Sequence, residues 1–237
     1  MQNFFAPDLL ENSFHALSES ESHHAIHVLR LKVNDVLSIT NGKGAIATAK
    51  IIGISKKNCS VSIIEVKHVA KEFICKIHIA IAPVKSMDRF EWFLEKACEW
   101  GVDEITPVIT KNSERQKLNL EKSNLKIIAA IKQSGRAWLP ELNTVIYLDQ
   151  FINMKSESEQ KFIAYCGVFD KTLLIQEIKK GIDTEILIGP EGDFTNEEML
   201  FAISNNWIPV TLGNYRLRTE TAALETLVQY NLINRLK

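Results

Sequence analysis

The sequence predicts an α/β chain in two parts, a β-rich N-terminal part and a C-terminal part of alternating strands and helices. Three observations support this prediction. Short strand patterns with turn signals fill the first 70 residues, and strand and helix patterns alternate from Ile74 onward. Two glycine-bearing loops then follow short apolar strands in the last fifth of the chain. These patterns favour a small barrel followed by a largely parallel sheet.

The N-terminal part reads as a series of short strands. Residues 36–40 form an apolar strand pattern, and Asn41-Gly42 supplies the turn signal of a tight hairpin. Residues 45–54 run back, and residues 59–66 alternate between apolar and polar side chains. Residues 67–73 are the expected linker.

The first helix of the C-terminal part is predicted at residues 87–100, after a strand at 77–82. Its apolar side chains recur at helical spacing on one face: Phe90, Phe93, Leu94, Ala97 and Cys98. Gly101 stands where a glycine commonly ends a helix, and Trp100 beside it is expected to be buried.

Further strands and helices are predicted in alternation: strand 105–109, helix 120–133, strand 162–166 and helix 173–180. Thr195 with Glu198 forms a capping box that opens a short helix. The last helix is expected from Thr219 to Leu236. This order indicates a sheet with parallel strands, which composition alone would make Rossmann-like.

Composition excludes several classes of protein. The chain has 237 residues, and no apolar run approaches the roughly 20 residues of a membrane span. Its start lacks the pattern of a signal peptide, and its four cysteines form no C-x-x-C pair. We therefore expect a cytoplasmic protein without a membrane segment. The net charge of −1 means that binding to nucleic acid would need a local basic surface.

The two glycine loops are the most informative segments. Residues 188–194 read Ile-Gly-Pro-Glu-Gly-Asp-Phe, and residues 212–223 read Leu-Gly-Asn-Tyr-Arg-Leu-Arg-Thr-Glu-Thr-Ala-Ala. Open α/β sheets bind small ligands where strands end in such loops, because glycine lets a ligand approach the backbone closely. A lone Gly-Pro-Glu-Gly would more often be an ordinary turn. The pair indicates a cofactor site.

The pattern G-P-E-G, followed by L-G-x-x-x-L-R-x-E-T-A, resembles the RsmE family of S-adenosylmethionine-dependent RNA methyltransferases, of the SPOUT class. Further motifs match in the same order, namely 24–30 (H-x-x-x-V-L-R), 95–102, 113–115 (Ser-Glu-Arg) and 133–136. The sequence departs from the family at Trp100, where leucine is usual. It departs again at residues 214–216, where Pro-Arg and an aliphatic residue are more typical. The resemblance covers almost the whole chain.

This resemblance implies a fold and a reaction. Residues 1–70 would form a PUA-like RNA-binding β-barrel, and residues 74–237 a SPOUT methyltransferase domain with a trefoil knot, a feature that periodicity alone would never predict. The implied activity is methylation of N3 of a uridine in 16S ribosomal RNA. The implied partners are 16S rRNA or the assembled 30S subunit, and a second copy of the chain in a homodimer.

The resemblance also selects site residues. The donor pocket would be walled by residues of the two loops: Ile188, Gly189, Pro190, Glu191, Gly192, Leu212, Gly213, Leu217 and Arg218. Removal of the uridine N3 proton calls for a base or for a cation that stabilises the anion, so the catalytic candidates are Arg218, Arg136 and Glu191. The basic candidates for RNA binding are Arg30, Lys32, Arg89, Arg115 and Arg136.

Other interpretations stay open at the level of sequence. Arg218 could instead pair with Glu220, and Arg136 could be a solvated helix end. The histidines at 23, 24 and 27 lack a carboxylate or cysteine partner, so we expect no metal there. Because residues 214–216 depart from the family pattern, the alternative of a non-catalytic RNA-binding ribosome assembly factor stays open. A different α/β nucleotide enzyme is disfavoured, because no G-x-G-x-x-G or P-loop motif occurs.

Overall fold

The chain divides into two units in its computed structural model, which describes residues 2–9 and 14–236. One unit comprises residues up to Glu72 together with Ile128–Leu139. The other comprises Phe73–Ile127 and the chain from Pro140 onward. The assignment of residues 1–70 and 74–237 to two functional domains stays a prediction.

Thirteen strands and eight helical segments are described in these residues. The strands are β1 (Asn3–Phe5), β2 (Phe14–Ala16), β3 (Val36–Thr40), β4 (Ala45–Ile54), β5 (Cys59–His68), β6 (Ile77–Ile81), β7 (Glu104–Ile109), β8 (Glu141–Leu142), β9 (Ile146–Tyr147), β10 (Gln160–Ala164), β11 (Thr172–Leu173), β12 (Thr184–Ile188) and β13 (Ile208–Thr211). The helices are α1 (Glu19–His23), a π-helix (His24–Val28), α2 (Met87–Trp100), α3 (Leu120–Ser134), α4 (Leu148–Asn153), α5 (Leu174–Glu177), α6 (Asn196–Ser204) and α7 (Thr219–Arg235).

The N-terminal unit contains a five-stranded sheet in the order β1-β3-β4-β5-β2. The β3–β4 and β4–β5 pairs are antiparallel, as the hairpin pattern predicts, and β1 runs parallel to β3. At the predicted turn, the Asn41 side chain accepts the backbone N–H groups of Lys43 and Ala45. The apolar side chains of these strands, with Phe4, Leu37, Ile39, Ile51 and Val61 fully buried, form the core of this unit.

The C-terminal unit contains a parallel sheet in the order β11-β13-β10-β12-β6-β7-β8, with β9 paired to β7. All of its recorded strand pairs are parallel. Every residue of β12 is buried, because this central strand is covered on both faces. The parallel order brings the carboxyl ends of β10, β12 and β13 to one edge, and this edge carries both glycine loops.

Helix predictions are confirmed where the local pattern is strong. The structure has α2 at Met87–Trp100, ended by Gly101 in a left-handed conformation (φ 80°), and Thr195 caps α6 through a complete capping box with Glu198. The expected burial of Trp100 is not found within the single chain, where the residue is 37% exposed.

The predicted helix at 173–180 is also wrong in extent, since only α5, a single turn, forms. The reason is a competing side chain. Gln160 accepts the backbone N–H of Lys179 (2.7 Å) and donates to the Lys179 carbonyl (3.0 Å). These bonds take the backbone groups that would continue the helix.

Candidate active site

A cavity of about 670 Å³ lies at the carboxyl edge of the parallel sheet. Residues 164–166 after β10, 188–191 after β12 and 211–219 after β13 line it, with Lys171, Asp193 and Ala222. Its volume falls within the range of small-molecule sites, and its position is where open α/β sheets bind ligands. The two loops that the sequence analysis singled out therefore form its walls.

Eight of the nine residues predicted for cofactor binding line this cavity. Gly192 does not, because its Cα faces a neighbouring side chain: a Cβ built there would lie 3.1 Å from the Cβ of Asn112. Gly189 is required for packing, since a Cβ there would come within 2.9 Å of the Phe194 ring. Their contacts with a cofactor stay a prediction.

The first loop is tied to the rest of the unit at several points. The Thr219 hydroxyl, buried at the start of α7, donates to the Gly189 carbonyl at 3.0 Å and so joins the two loops. The Asp193 carboxylate accepts the backbone N–H of Cys166 at 3.0 Å and that of Phe194 at 2.9 Å. The sequence motifs did not select Thr219 or Asp193. Thr219 occupies the variable position of the L-R-x-E-T-A motif.

The second loop combines backbone freedom with exposed side chains. Gly213 has φ +147°, and no atom lies within 4 Å of a Cβ built there. The Thr211 hydroxyl donates to its carbonyl at 2.9 Å. The residues that depart from the family pattern, 214–216, also line the cavity, and Tyr215 is 89% exposed. The departure therefore changes the rim of the site.

Arg218 stands at the border of the cavity and of a second recess of about 580 Å³. The recess is also lined by Arg89, Arg216 and Trp92. The alternative pairing of Arg218 with Glu220 is not what the structure has, since Glu220 faces Arg89 at 3.9 Å. Among the described residues Arg218 makes no recorded ion pair, and its side chain is exposed. It is a cation that an anionic group can reach.

Glu191 lines the cavity and accepts the backbone N–H of Lys85 at 3.3 Å. The ammonium group of Lys85 pairs with Glu114 at 2.8 Å, and this hydrogen bond raises the pKa of Lys85. Tyr165 also lines the cavity, but burial, aided by the charge of Asp193, raises the pKa of its hydroxyl. Tyr165 therefore stays neutral, and the catalytic role of Glu191 stays a prediction.

The residues predicted to contact RNA fall in both units. Arg30 and Lys32 are exposed in the N-terminal unit, Arg30 with φ +54°, and Arg136 is half-buried in the same unit. In the C-terminal unit, Arg89 is exposed, whereas Arg115 donates to the Lys85 carbonyl at 2.8 Å. This bond gives Arg115 a structural tie. The roles of these residues in RNA binding, and of Arg136 in catalysis, stay predictions.

The described ranges contain neither a metal-binding cluster nor a helix that could span a membrane. No group of three or more His, Cys, Asp or Glu side chains there could hold a metal ion. In residues 2–9 and 14–236, no helix has the length and apolar character needed to cross a membrane. All four cysteines are free thiols, and only Cys166, at the cavity, is exposed.

Glycine loops around a cavity at the carboxyl edge of a parallel sheet define an α/β protein that binds a nucleotide-sized ligand. The family of RNA methyltransferase domains matches residues 71–230, and the family of RNA methyltransferase PUA domains matches residues 17–64. The chain therefore belongs to the RNA methyltransferase family that includes ribosomal RNA small subunit methyltransferase E, and the RsmE resemblance is confirmed.

Individual relatives agree with this membership. Ribosomal RNA small subunit methyltransferase E of Buchnera aphidicola is 32% identical over 93% of this chain and 88% of its own length. A crystal structure from Porphyromonas gingivalis, described as a probable rRNA-methyltransferase, superposes with a TM-score of 0.91 at 35% identity, over 99% of this chain and 98% of the other. The crystal structure of ribosomal RNA small subunit methyltransferase E from Neisseria gonorrhoeae, bound to S-adenosyl methionine, superposes with a TM-score of 0.88 at 26% identity. The match covers 99% of this chain and 98% of the other.

Proposed function

We propose that this protein transfers a methyl group from S-adenosylmethionine to N3 of a uridine in 16S ribosomal RNA. The observation that carries the proposal is the cavity at the carboxyl edge of the sheet, walled by both family loops. Relatives that match nearly the whole chain are named as small-subunit rRNA methyltransferases, and one of them is bound to S-adenosyl methionine. These names favour the catalytic function over the non-catalytic assembly factor.

The residues present fit the methyl donor. The cavity has apolar walls at Ile188, Leu212 and Leu217, and the absence of a Cβ at Gly213 leaves backbone groups open to a planar base. Two carboxylates, Glu191 and Asp193, also line it and suit the positive charge of the donor. When bound, S-adenosylmethionine supplies an electrophilic methyl group on its sulfonium.

Two residues of the chain would then assist the loss of the uridine N3 proton. Arg218 is exposed, makes no recorded ion pair in the described residues and borders both cavity and recess, so it can stabilise the anion that forms when N3 loses its proton. Glu191 is held by the Lys85 N–H at the cavity wall and is our candidate to accept that proton. Binding both reactants at one edge supplies orientation. Arg136 remains a candidate for contact with the RNA.

The recess beside the cavity suits a nucleotide. It is lined by the cations Arg89, Arg216 and Arg218, by the carboxylates of Asp88 and Glu220, and by Trp92, which is 45% exposed. Arginine holds phosphate groups, and an exposed aromatic ring can stack on a base. Glu220 faces Arg89, whereas Arg216 and Arg218 make no ion pair in the described residues. These two arginines supply the local positive charge that RNA binding needs in a chain with a net charge of −1. Because the basic surface is small, we propose that the substrate is the assembled 30S subunit rather than free 16S rRNA. We also propose that the protein acts in the cytoplasm.

A homodimer is part of the same proposal. Helices α2 and α7 pack together and leave apolar side chains exposed: Trp100 (37%) and Leu232 (46%). A second copy of the chain would cover them, and two-fold dimers are the commonest oligomers. Light scattering should give twice the chain mass of 26.9 kDa, and Leu232→Glu should reduce it to one chain. A monomeric wild-type protein would refute the dimer. The trefoil knot also stays a proposal and rests on the family resemblance, because a non-sequential strand order such as β13-β10-β12-β6 also occurs in unknotted α/β sheets.

Transfer of radiolabelled methyl from S-adenosylmethionine to 30S subunits, with free 16S rRNA in parallel, tests this function. We expect label in the 30S sample, and a loss of about 10²-fold in kcat for Arg218→Ala if it stabilises the anion. Lys180→Ala, a change of an exposed lysine outside the cavity, is the control. A protein that binds the donor but labels neither RNA would overturn the catalytic proposal.

A further inference from the structure

We propose that Asn112, in the loop after β7, is a positioning residue that holds the first glycine loop in the shape needed to bind the methyl donor. The proposal rests on the function proposed above and adds a residue that the sequence motifs did not select. Asn112 does not line the cavity, but its side chain bonds to the two residues that follow the wall formed by residues 188–191.

The contact is made through one side-chain amide. The Nδ2 atom of Asn112 donates to the carbonyl oxygen of Gly192 at 3.1 Å and to that of Asp193 at 3.0 Å. Both partners are acceptors, so only the nitrogen end of the amide can face them, and its two hydrogens satisfy one carbonyl each. Neither an aspartate nor an alanine at this position can make these bonds.

Asn112 holds the loop at its most strained point. Asp193 has φ +59°, a left-handed conformation that non-glycine residues rarely adopt. Such a conformation persists only where surrounding contacts enforce it, and it is common at ligand sites. Asp193 is fixed here from two sides: Asn112 holds its carbonyl group, and its carboxylate accepts the N–H groups of Cys166 and Phe194.

The neighbouring glycine fits this arrangement. A Cβ on Gly192 would lie 3.1 Å from the Cβ of Asn112, which is tighter than ordinary contacts allow. Gly192 therefore lets the Asn112 side chain approach the loop backbone, which gives this motif glycine a packing function although it does not line the cavity. The loop geometry and the Asn112 amide depend on each other.

The consequence concerns binding of the donor. Asp193 lines the cavity with its side chain while its backbone is held by Asn112. Without the amide, the turn from Pro190 to Asp193 would keep its internal N–H to carbonyl bond of 2.9 Å and the bonds of the Asp193 carboxylate. The carbonyl groups of Gly192 and Asp193 would lose their side-chain partner, and the turn would sample other shapes more often. Donor binding would then have to restore the native shape, which weakens affinity. The chemical step in the bound complex would change little, since Asn112 touches no reacting atom.

The test compares Asn112→Ala and Asn112→Asp with Lys111→Ala in the full-length protein. Lys111 is adjacent and loses only an exposed ion pair to Glu197, so it is a matched control. Hydrogen exchange at the Asp193 and Phe194 amides is measured without donor, and S-adenosylmethionine affinity is measured by calorimetry. The methyl-transfer rate is then measured at saturating donor, and thermal denaturation checks folding.

For Asn112→Ala we expect faster exchange at the two amides, a Kd about tenfold weaker and a kcat within about twofold of wild type. Asn112→Asp should bind more weakly still, because its carboxylate faces two carbonyl oxygens. Unchanged exchange in Asn112→Ala, or faster exchange with unchanged Kd, would overturn the positioning role. A wild-type protein that does not bind the donor would instead overturn the proposed function, and its titration reveals this before any variant is compared.

Discussion

Thr219→Val tests the link between the two loops with a minimal change. The Thr219 hydroxyl donates to the Gly189 carbonyl at 3.0 Å, and the residue is 4% exposed at the first position of α7. Valine keeps the branched shape and removes only the hydrogen bond. The substitution therefore leaves helix α7 and its packing nearly unchanged, but it removes the hydrogen bond that joins the first loop to the second.

The expected magnitude follows from the burial of the bond. Removing the Thr219 hydroxyl leaves the buried Gly189 carbonyl without this hydrogen-bond partner, which costs about 1–3 kcal/mol. If half of that cost, about 0.5–1.5 kcal/mol, falls on the loop arrangement that binds S-adenosylmethionine, affinity falls by about 2- to 13-fold, because 1.4 kcal/mol corresponds to a factor of ten. The remainder should appear as reduced stability. A loss of that size is readily measured by calorimetric titration with S-adenosylmethionine.

Thr226→Val is the matched control on the same helix. Its hydroxyl is also fully buried, but it donates to the Ala223 carbonyl within α7, at 2.7 Å. This variant should lose stability without losing donor affinity. The reasoning would be refuted if both variants lowered affinity equally, or if Thr219→Val bound the donor as tightly as wild type.

Three further substitutions have defined outcomes. Gly189→Ala places a Cβ 2.9 Å from the Phe194 ring, so donor affinity measured by calorimetry should fall at least about tenfold; wild-type affinity would contradict this packing. Glu91 is paired with two lysines of α3, which lower the pKa of its carboxyl. The pairing stabilises the folded protein at pH values above the ordinary pKa of a carboxyl group, and this stabilisation is lost as the pH falls through the lowered pKa of Glu91. Glu91→Gln should therefore flatten thermal stability against pH on the acid side; an unchanged slope would argue against the pairing. Tyr230→Phe removes a buried hydroxyl that donates to Cys75 at 3.0 Å, and denaturant titration should show a loss of about 1 kcal/mol, whereas increased stability would contradict this.

The sequence was sufficient wherever structure depends on residues close together in the chain. The face of α2 and its end at Gly101 follow from spacing and from glycine's backbone freedom, and the capping box at Thr195 is a four-residue pattern. Positions of the two loops followed from the strands before them. By contrast, the contraction of the helix at 173–180 depends on Gln160, a residue distant in sequence. No local pattern signals such a competitor.

The same distinction separates the predicted site residues from the missed ones. Family motifs selected eight residues that line the cavity. Asn112 and Thr219 were missed because their partners, the carbonyls of the first loop, lie 80 and 30 positions away. Trp100 was expected to be buried from its apolar character and is 37% exposed, because burial depends on which face neighbours cover.

The most direct test of the proposed reaction is the identity of the methylated nucleoside. After incubation with S-adenosylmethionine, 16S rRNA from treated 30S subunits is digested to nucleosides and resolved by liquid chromatography and mass spectrometry. Standards of 3-methyluridine, 5-methyluridine and 2′-O-methyluridine separate the possible target atoms. The proposal predicts 3-methyluridine alone. A methyl group on carbon, on the ribose or on another base would contradict the assignment of uridine N3.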